Sequence, residues 1–117
     1  MAVTVRSMLR GKGSQVWSVT PQATILEALK LMAEKRIGAV LVMVDERLIG
    51  IFSERDYARR GVLEGRGVDA KVEDVMTTPV FAVSADRSVE DCLAIMTDHH
   101  FRHLPVIEND KVIFMSG

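Results

Sequence analysis

The chain has 117 residues, of which 48% are hydrophobic, and its formal net charge is −1. This balance excludes the polar, highly charged class of disordered chains and fits one compact domain or two fused subdomains. The basic residues are spread along the chain and form no nucleic-acid-binding patch in the sequence. Cys92 is the single cysteine, so no internal disulfide can form and we expect a cytoplasmic protein. Because no apolar run is long enough to span a bilayer and no basic patch is present in the sequence, we expect neither membrane nor nucleic acid as a partner.

The first half of the chain predicts a strand, a helix, two strands and a second helix. The first helix is expected to begin at Thr24, because Thr24 and Glu27 have the spacing of a capping box and apolar residues follow at the helical period. Gly38 is expected to end it. The predicted elements are strand 16–19, the helix from residue 24, strands 39–44 and 47–52 joined by a turn at 45–46, and helix 53–63.

The second half repeats the first at a constant offset of 64 residues, so that residues 16–43 overlay residues 80–107. The corresponding elements are strand 80–83, helix 88–98, strand 103–107 and a turn at 109–110. A related short segment precedes each repeat; we call residues 5–9 the first lead-in and residues 72–76 the second lead-in. We therefore assign residues 1–67 to the first repeat and residues 68–117 to the second, each with its lead-in.

This element order predicts an α/β (α+β) fold in which each repeat forms a small three-stranded sheet with two helices on one face. One such unit is too small to bury its own apolar face, so we expect the two repeats to pack together with pseudo-two-fold symmetry. The cleft between them is the first place to expect a ligand.

Several motifs together resemble the cystathionine β-synthase (CBS) domain family in its tandem form, the Bateman module. The motifs are 37–42, Gly50-Ile51-Phe52-Ser53-Glu54-Arg55-Asp56, 72–77 ahead of Pro79-Val80, and Arg102-His103-Leu104-Pro105-Val106. The resemblance implies a non-catalytic regulatory module that binds an adenosine-containing ligand such as AMP, ADP, ATP, NAD or S-adenosylmethionine. It implies a homodimer, a regulated protein partner and no required cofactor.

Ser53 and Asp56 are the strongest candidate site residues. Gly50 would let the strand pass close to a ligand, and a carboxylate at a helix N-terminus can accept ribose hydroxyls beside a bound phosphate. Arg55 could also meet phosphate. The spacing of Ser53 and Asp56 is equally that of a plain helix N-cap, so a structural role stays open.

The resemblance places the other candidate residues in two related sites. In the first, adenine would lie between Thr78, Pro79 and Val80 on one side and Phe101 and Arg102 on the other. In the second, Val16, Ile37 and Gly38 would contact the base while Arg102 and His103 contact phosphate.

The end of the second repeat departs from the family pattern. Residues 111–117 lack a glycine matching Gly50, an aspartate matching Asp56 and the second helix, so the second site has no ribose anchor. Two explanations compete: the chain is truncated relative to its relatives, or a partner or dimer mate supplies the helix. The exposed apolar surface would favour association. The alternative function is accordingly a structural dimerisation module without ligand binding.

A metal site and an active site are both disfavoured by the sequence. His99, His100 and His103 span a predicted helix end and strand start, where they would not converge tetrahedrally on one ion with Cys92. Cys92 lies on the inward face of its helix, where a small buried hydrophobe is the expected role. The chain offers no nucleophile with an adjacent base, so we expect no enzyme and no metal ligands.

Overall fold

The computed structural model describes residues 4–6, 16–101, 103–108 and 111–116. It confirms a mixed α/β fold with one three-stranded sheet for each repeat. The elements in chain order are β1 (Ser18–Val19), α1 (Ile25–Lys35), β2 (Ala39–Val44), β3 (Arg47–Ser53), α2 (Glu54–Asp56) continuing as a π-helix (Tyr57–Val62), a 3₁₀ turn (Val72–Asp74), β4 (Val83–Ser84), α3 (Val89–His99), β5 (Leu104–Glu108) and β6 (Lys111–Ser116). The predicted turn at 109–110 lies outside the described residues.

The two sheets share one topology. In the first, β1 runs parallel to β2 and β2 runs antiparallel to β3, with a register shift after Val42. In the second, β4 is parallel to β5 and β5 is antiparallel to β6, with the shift after Val106. Val42 and Val106 are 64 residues apart, so the irregularity itself is repeated. The outer strands β1 and β4 are shorter than predicted, and β4 begins at Val83 rather than at residue 80.

Helix α1 begins as predicted, with the Thr24 hydroxyl accepting a hydrogen bond from the Glu27 N–H at 3.1 Å. Its predicted end at Gly38 is wrong. The helix ends at Lys35, and Arg36 adopts the left-handed conformation with φ 56°. The Ile37 N–H then donates to the Met32 carbonyl at 3.0 Å, which is the long bond of a Schellman motif. Because this bond and the packing of Ile37 on the core hold the turn, a glycine is not required there.

The predicted helix 53–63 changes its winding along its length. One turn of α-helix follows the Ser53 N-cap, and the chain then continues as a π-helix from Tyr57 to Val62. Gly61 is buried beneath the Tyr57 ring, and a Cβ at this position would lie 2.9 Å from Tyr57 Cδ1. We call residues 54–62 the closing helix. Among the described residues of the second repeat, no helix corresponds to it.

The chain forms two compact units, and each contains the lead-in of the other repeat. We call Trp17–Val80 the first unit and Met1–Val16 with Phe81–Gly117 the second unit. In the first unit, the Val72 N–H donates to the Ala23 carbonyl at 2.8 Å. In the second unit, the Val5 N–H donates to the Arg87 carbonyl at 2.9 Å, which is the equivalent bond in the repeat. The compact units therefore do not coincide with the sequence assignment at 1–67 and 68–117.

Each unit has its own apolar core, to which the exchanged lead-in contributes. Val72 and Val75 of the second lead-in are buried with residues of α1, β2 and β3 in the first unit. Val5 of the first lead-in is buried with residues of β4, α3 and β5 in the second. The neighbouring Arg6 forms ion pairs with Asp86 and Glu108. Its hydrogen bonds to these two carboxylates, that to Asp86 most of all, raise the pKa of the Arg6 guanidinium.

No helix among the described residues combines the length and apolar character that crossing a membrane requires.

Candidate functional site

Ser53 and Asp56 form a complete capping box where β3 passes into the closing helix. The Asp56 N–H donates to Ser53 Oγ at 3.1 Å, and the Ser53 N–H donates to Asp56 Oδ2 at 3.0 Å. The Ser53 hydroxyl also lies 3.0 Å from Asp56 Oδ2 and can donate to it. The motif therefore caps the helix N-terminus, which is the structural role that the sequence had left open.

Thr77 closes the other side of the carboxylate. Its hydroxyl donates to Asp56 Oδ1 at 2.8 Å, across 21 positions of sequence. Thr77 also exchanges two backbone hydrogen bonds with Ile51 on β3, at 2.8 and 3.0 Å. The segment from Met76 to Thr78 thus pairs with β3 through an antiparallel bridge between Ile51 and Thr77, and the Asp56 side chain is hydrogen-bonded to both Ser53 and Thr77.

Two more hydrogen bonds fix this segment, which we call the latch segment (residues 76–78). Arg60 Nη1 donates to the Met76 carbonyl at 2.7 Å, so this arginine of the closing helix has a structural partner. The Thr78 hydroxyl donates to the Ile49 carbonyl at 2.9 Å. The latch segment is therefore joined to both β3 and the closing helix.

The latch segment leaves no room for a side chain at position 50, so a glycine is required there. A Cβ on Gly50 would lie 2.5 Å from Met76 Sδ and 3.2 Å from the Thr77 carbonyl oxygen. From the sequence, this glycine was expected to permit the close approach of a ligand. The neighbour that the structure places against Gly50 is instead a protein segment.

Asp56 is the one charged residue that is buried among those the structure describes, with 7% of its surface exposed. A buried carboxylate is costly unless its oxygens accept hydrogen bonds. Three are donated here, two to Oδ2 and one to Oδ1. A carboxylate has about four acceptor positions, so the described residues leave one position on Oδ1 without a donor.

The sequence model of the CBS domain family matches residues 12–62 and 72–113. The chain belongs to the CBS domain family. Its two repeats are tandem CBS repeats, and the Gly50–Asp56 motif lies in the first of them.

Relatives and solved structures agree with this assignment. The chain is 37% identical over 102 residues to an uncharacterized 17.7 kDa protein of Acidianus ambivalens, covering 86% of this chain and 61% of that protein. It is 33% identical over 100 residues to the CBS domain-containing protein YhcV of Bacillus subtilis, covering 86% and 71% respectively. A solved candidate signal-transduction protein with CBS domains from Burkholderia ambifaria superposes with a TM-score of 0.90 at 39% identity, covering all of this chain and 88% of that one.

The other residues predicted for the first CBS site lie in different surroundings. Arg55 is half-buried next to Asp56, while Thr78 and Pro79 are exposed and Val80 is half-buried at the end of the first unit. Phe101 belongs to the second unit, where its ring stacks on His99 at 5.2 Å between centroids and both rings approach Phe81 at 5.7 Å. Arg102 lies outside the described residues. The joint role of these residues in one site stays a prediction.

The residues predicted for the second CBS site also remain a prediction as a group. Ile37 and Gly38 line a surface groove of about 570 Å³ in the first unit, together with Leu29, Met32, Ala33, Arg36, Glu54 and Tyr57. Val16 is half-buried just before β1, and His103 is half-buried just before β5.

Sequence reasoning missed Thr77, although it is one of the two residues that bond the Asp56 side chain. The signal available was a hydroxyl residue directly after the second lead-in and directly before Thr78 and Pro79. Nothing local in the sequence brings position 77 to position 56. That contact depends on the exchange of lead-ins between the two repeats.

Proposed function

We propose that the chain is a non-catalytic regulatory CBS module whose first repeat binds an adenosine-containing ligand, with Asp56 accepting hydrogen bonds from the ribose. Membership of the CBS family supports the proposal, as does the similarity to the Burkholderia signal-transduction candidate. AMP, ADP, ATP and NAD share the adenosine group and are the ligands we propose to test first.

The observation that carries the proposal is the state of the Asp56 carboxylate. It is buried and fixed from two sides, yet among the described residues none donates to the second acceptor position of Oδ1. A preorganised acceptor of this kind can bind a hydroxyl group without first losing side-chain freedom, which lowers the entropic cost of binding.

The test is ligand-dependent thermal unfolding with AMP, ADP, ATP and NAD, followed by S-adenosylmethionine. A ligand that binds only the native state stabilises it by about 2.7 kcal/mol at a concentration of 100 Kd. We expect at least one of these ligands to raise the melting temperature. No response to any of them at millimolar concentration would contradict the proposal.

Asp56→Asn is the informative variant, and the chain supplies a matched control. Ser88 and Asp91 repeat the Ser-x-x-Asp cap at the start of α3, where the Asp91 N–H donates to Ser88 Oγ at 3.0 Å. We expect Asp56→Asn to remove most of the ligand response and Asp91→Asn to preserve it. Equal losses in the two variants would assign the effect to the loss of a negative charge from the first turn of a helix.

A dimerisation module without a ligand is the second candidate, and two observations favour it. The three hydrogen bonds to Asp56 come from within the protein and already give it a structural role. In addition, Leu93 on α3 is 59% exposed, whereas its repeat counterpart Leu29 packs against the core of the first unit. Self-association into a homodimer would cover this leucine.

Light scattering with and without nucleotide separates the two candidates. The dimerisation module predicts an oligomer whose mass and hydrodynamic radius do not respond to nucleotide. A nucleotide-dependent change in either quantity supports the regulatory module.

A further inference from the structure

We propose that the Thr77 hydroxyl competes with the ligand for the Asp56 carboxylate and so sets how strongly the site distinguishes a ribose from a deoxyribose. This inference rests on the proposed function, because it concerns the same ligand and the same carboxylate. It makes Thr77 a specificity-determining residue.

The Asp56 carboxylate can accept only a limited number of hydrogen bonds. Asp56 Oδ2 accepts from the N–H and the hydroxyl of Ser53, which fills both of its positions. Oδ1 accepts from Thr77 and has one position left. A single hydroxyl group therefore fits without any change in the protein. For both adjacent hydroxyls of a ribose to donate to Asp56, two positions are required, so one existing bond must then break.

The bond to Thr77 is the one that can break at least cost. The Ser53 N–H is a backbone donor in the capping box, and Ser53 Oγ is held in place by the Asp56 N–H. Thr77, in contrast, is exposed, so its displaced hydroxyl can turn to water. It is also bonded to Oδ1, the oxygen that carries the open position. The backbone bonds between Thr77 and Ile51 can persist while the hydroxyl turns away.

Competition with the Thr77 hydroxyl changes how much the second ribose hydroxyl contributes to binding affinity. In the wild-type protein that hydroxyl gains a bond to Asp56 only by breaking the bond from Thr77, so the net gain is close to zero. Without the Thr77 hydroxyl, the same group gains a whole hydrogen bond. A net hydrogen bond changes affinity by roughly 2- to 12-fold.

The experiment measures the dissociation constants of AMP and 2′-deoxy-AMP by isothermal titration calorimetry. For the wild-type chain we expect the two constants to agree within about twofold. For Thr77→Val, which keeps the branched shape, we expect AMP to bind about 2- to 12-fold more tightly while the 2′-deoxy-AMP constant stays the same. Thr77→Ser retains the hydroxyl and is expected to behave as the wild type.

Several outcomes would overturn the inference. Wild-type discrimination of tenfold or more against 2′-deoxy-AMP would show that the second hydroxyl already gains a full bond. Weaker AMP binding by Thr77→Val would show that Thr77 positions the carboxylate rather than competing for it. Should Thr77→Val not fold, Thr77→Ala must show the same rise in discrimination.

The inference and the proposed function fail in different ways. If the wild-type chain responds to none of the adenosine-containing ligands in the thermal-unfolding test, the proposed function is wrong and the inference with it. If it binds AMP but Thr77→Val leaves the ratio of the two constants unchanged, only the inference is wrong.

Discussion

Gly50 lies on β3 where the latch segment packs against the strand. Because glycine has no side chain, the two backbones can approach each other at this position. Its φ is not in the left-handed region, so an alanine would be conformationally allowed there. The obstacle is space, because the new Cβ would lie 2.5 Å from Met76 Sδ and 3.2 Å from the Thr77 carbonyl oxygen. The methionine can move, whereas the carbonyl is held by its hydrogen bond to Ile51.

We therefore expect Gly50→Ala to lower the free energy of unfolding by about 1–3 kcal/mol, the usual cost of overpacking. Urea denaturation followed by the fluorescence of Trp17, which packs on the core of the first unit, measures the change. In the double variant Gly50→Ala/Met76→Ala, the loss should be smaller than the sum of the single losses. Strictly additive losses would show that Met76 is not the obstacle.

Cys92 illustrates how burial controls the chemistry of a single side chain. Burial raises the pKa of its thiol, with Asp91 adding to the rise and Arg87 opposing it. The protonated thiol is thus favoured in the folded state. The resulting stability is fully present below the thiol pKa of the unfolded chain and is lost as pH rises through the folded value.

We accordingly expect the native thiol to react slowly with a disulfide reagent near pH 8, because only the thiolate is the nucleophile. The rate should begin to rise at a higher pH than for an ordinary cysteine. The matched control is the same chain in denaturant, where Cys92 is exposed and should react at the ordinary rate. Fast native reaction at pH 8 would contradict the burial of this residue in the second unit.

At the scale of the elements, the two long helices begin and end alike. Thr24 and Ser88 cap α1 and α3 with the same hydrogen bond, at 3.1 and 3.0 Å. Arg36 and His100 end them in the same left-handed conformation, with φ of 56° and 57°. The beginnings were predictable because the capping signal is local and uses four consecutive residues.

The end of α1 was not predictable from a glycine, because the packing of Ile37 on the core helps to determine it, whereas the predicted end of α3 at residue 98 lies one residue from the observed end at His99. The residue after each left-handed turn, Ile37 or Phe101, donates its N–H back to the helix at 3.0 or 2.9 Å. Ile37 also packs on the core of its unit. This contact outweighs the modest cost of a left-handed non-glycine residue, about 1–2 kcal/mol.

The cap at Thr24 can be tested with a substitution that changes little else. We expect Thr24→Ala to lower the free energy of unfolding by about 1 kcal/mol, because one helix N–H loses its acceptor. Thr24→Ser should keep most of the stability, and Ser88→Ala should reproduce the loss at the equivalent cap of α3. Urea denaturation followed by far-ultraviolet circular dichroism measures all three. An equal loss for Thr24→Ser and Thr24→Ala would show that the hydroxyl is not the group that matters.

For the whole molecule, the repeat was the strongest signal in the sequence, and it led to the correct family and fold class. The exchange of lead-ins could not be inferred from it. The two lead-ins resemble each other, and so do the two surfaces that receive them, so the sequence does not say which lead-in docks on which repeat. Thr77 went unnoticed for the same reason, since its contact with Asp56 exists only because the second lead-in docks on the first repeat.

The exchange predicts that a substitution in a lead-in destabilises the repeat that does not follow it. Val5 and Val72 are buried at equivalent positions of the two lead-ins, Val5 in the second unit and Val72 in the first. Replacing either with alanine should cost about 1–3 kcal/mol through lost burial and a residual cavity. The two variants should lose stability in different parts of the chain.

Amide hydrogen exchange read by mass spectrometry can locate the cost, because exchange reports local opening along the chain. We expect Val5→Ala to raise exchange first in residues 83–108 and Val72→Ala to raise it first in residues 18–62. Each variant is the control for the other, since the two remove the same atoms from equivalent sites. If Val5→Ala instead raised exchange first in residues 18–62, each lead-in would belong to the repeat that follows it, and Asp56 would no longer have Thr77 as its neighbour.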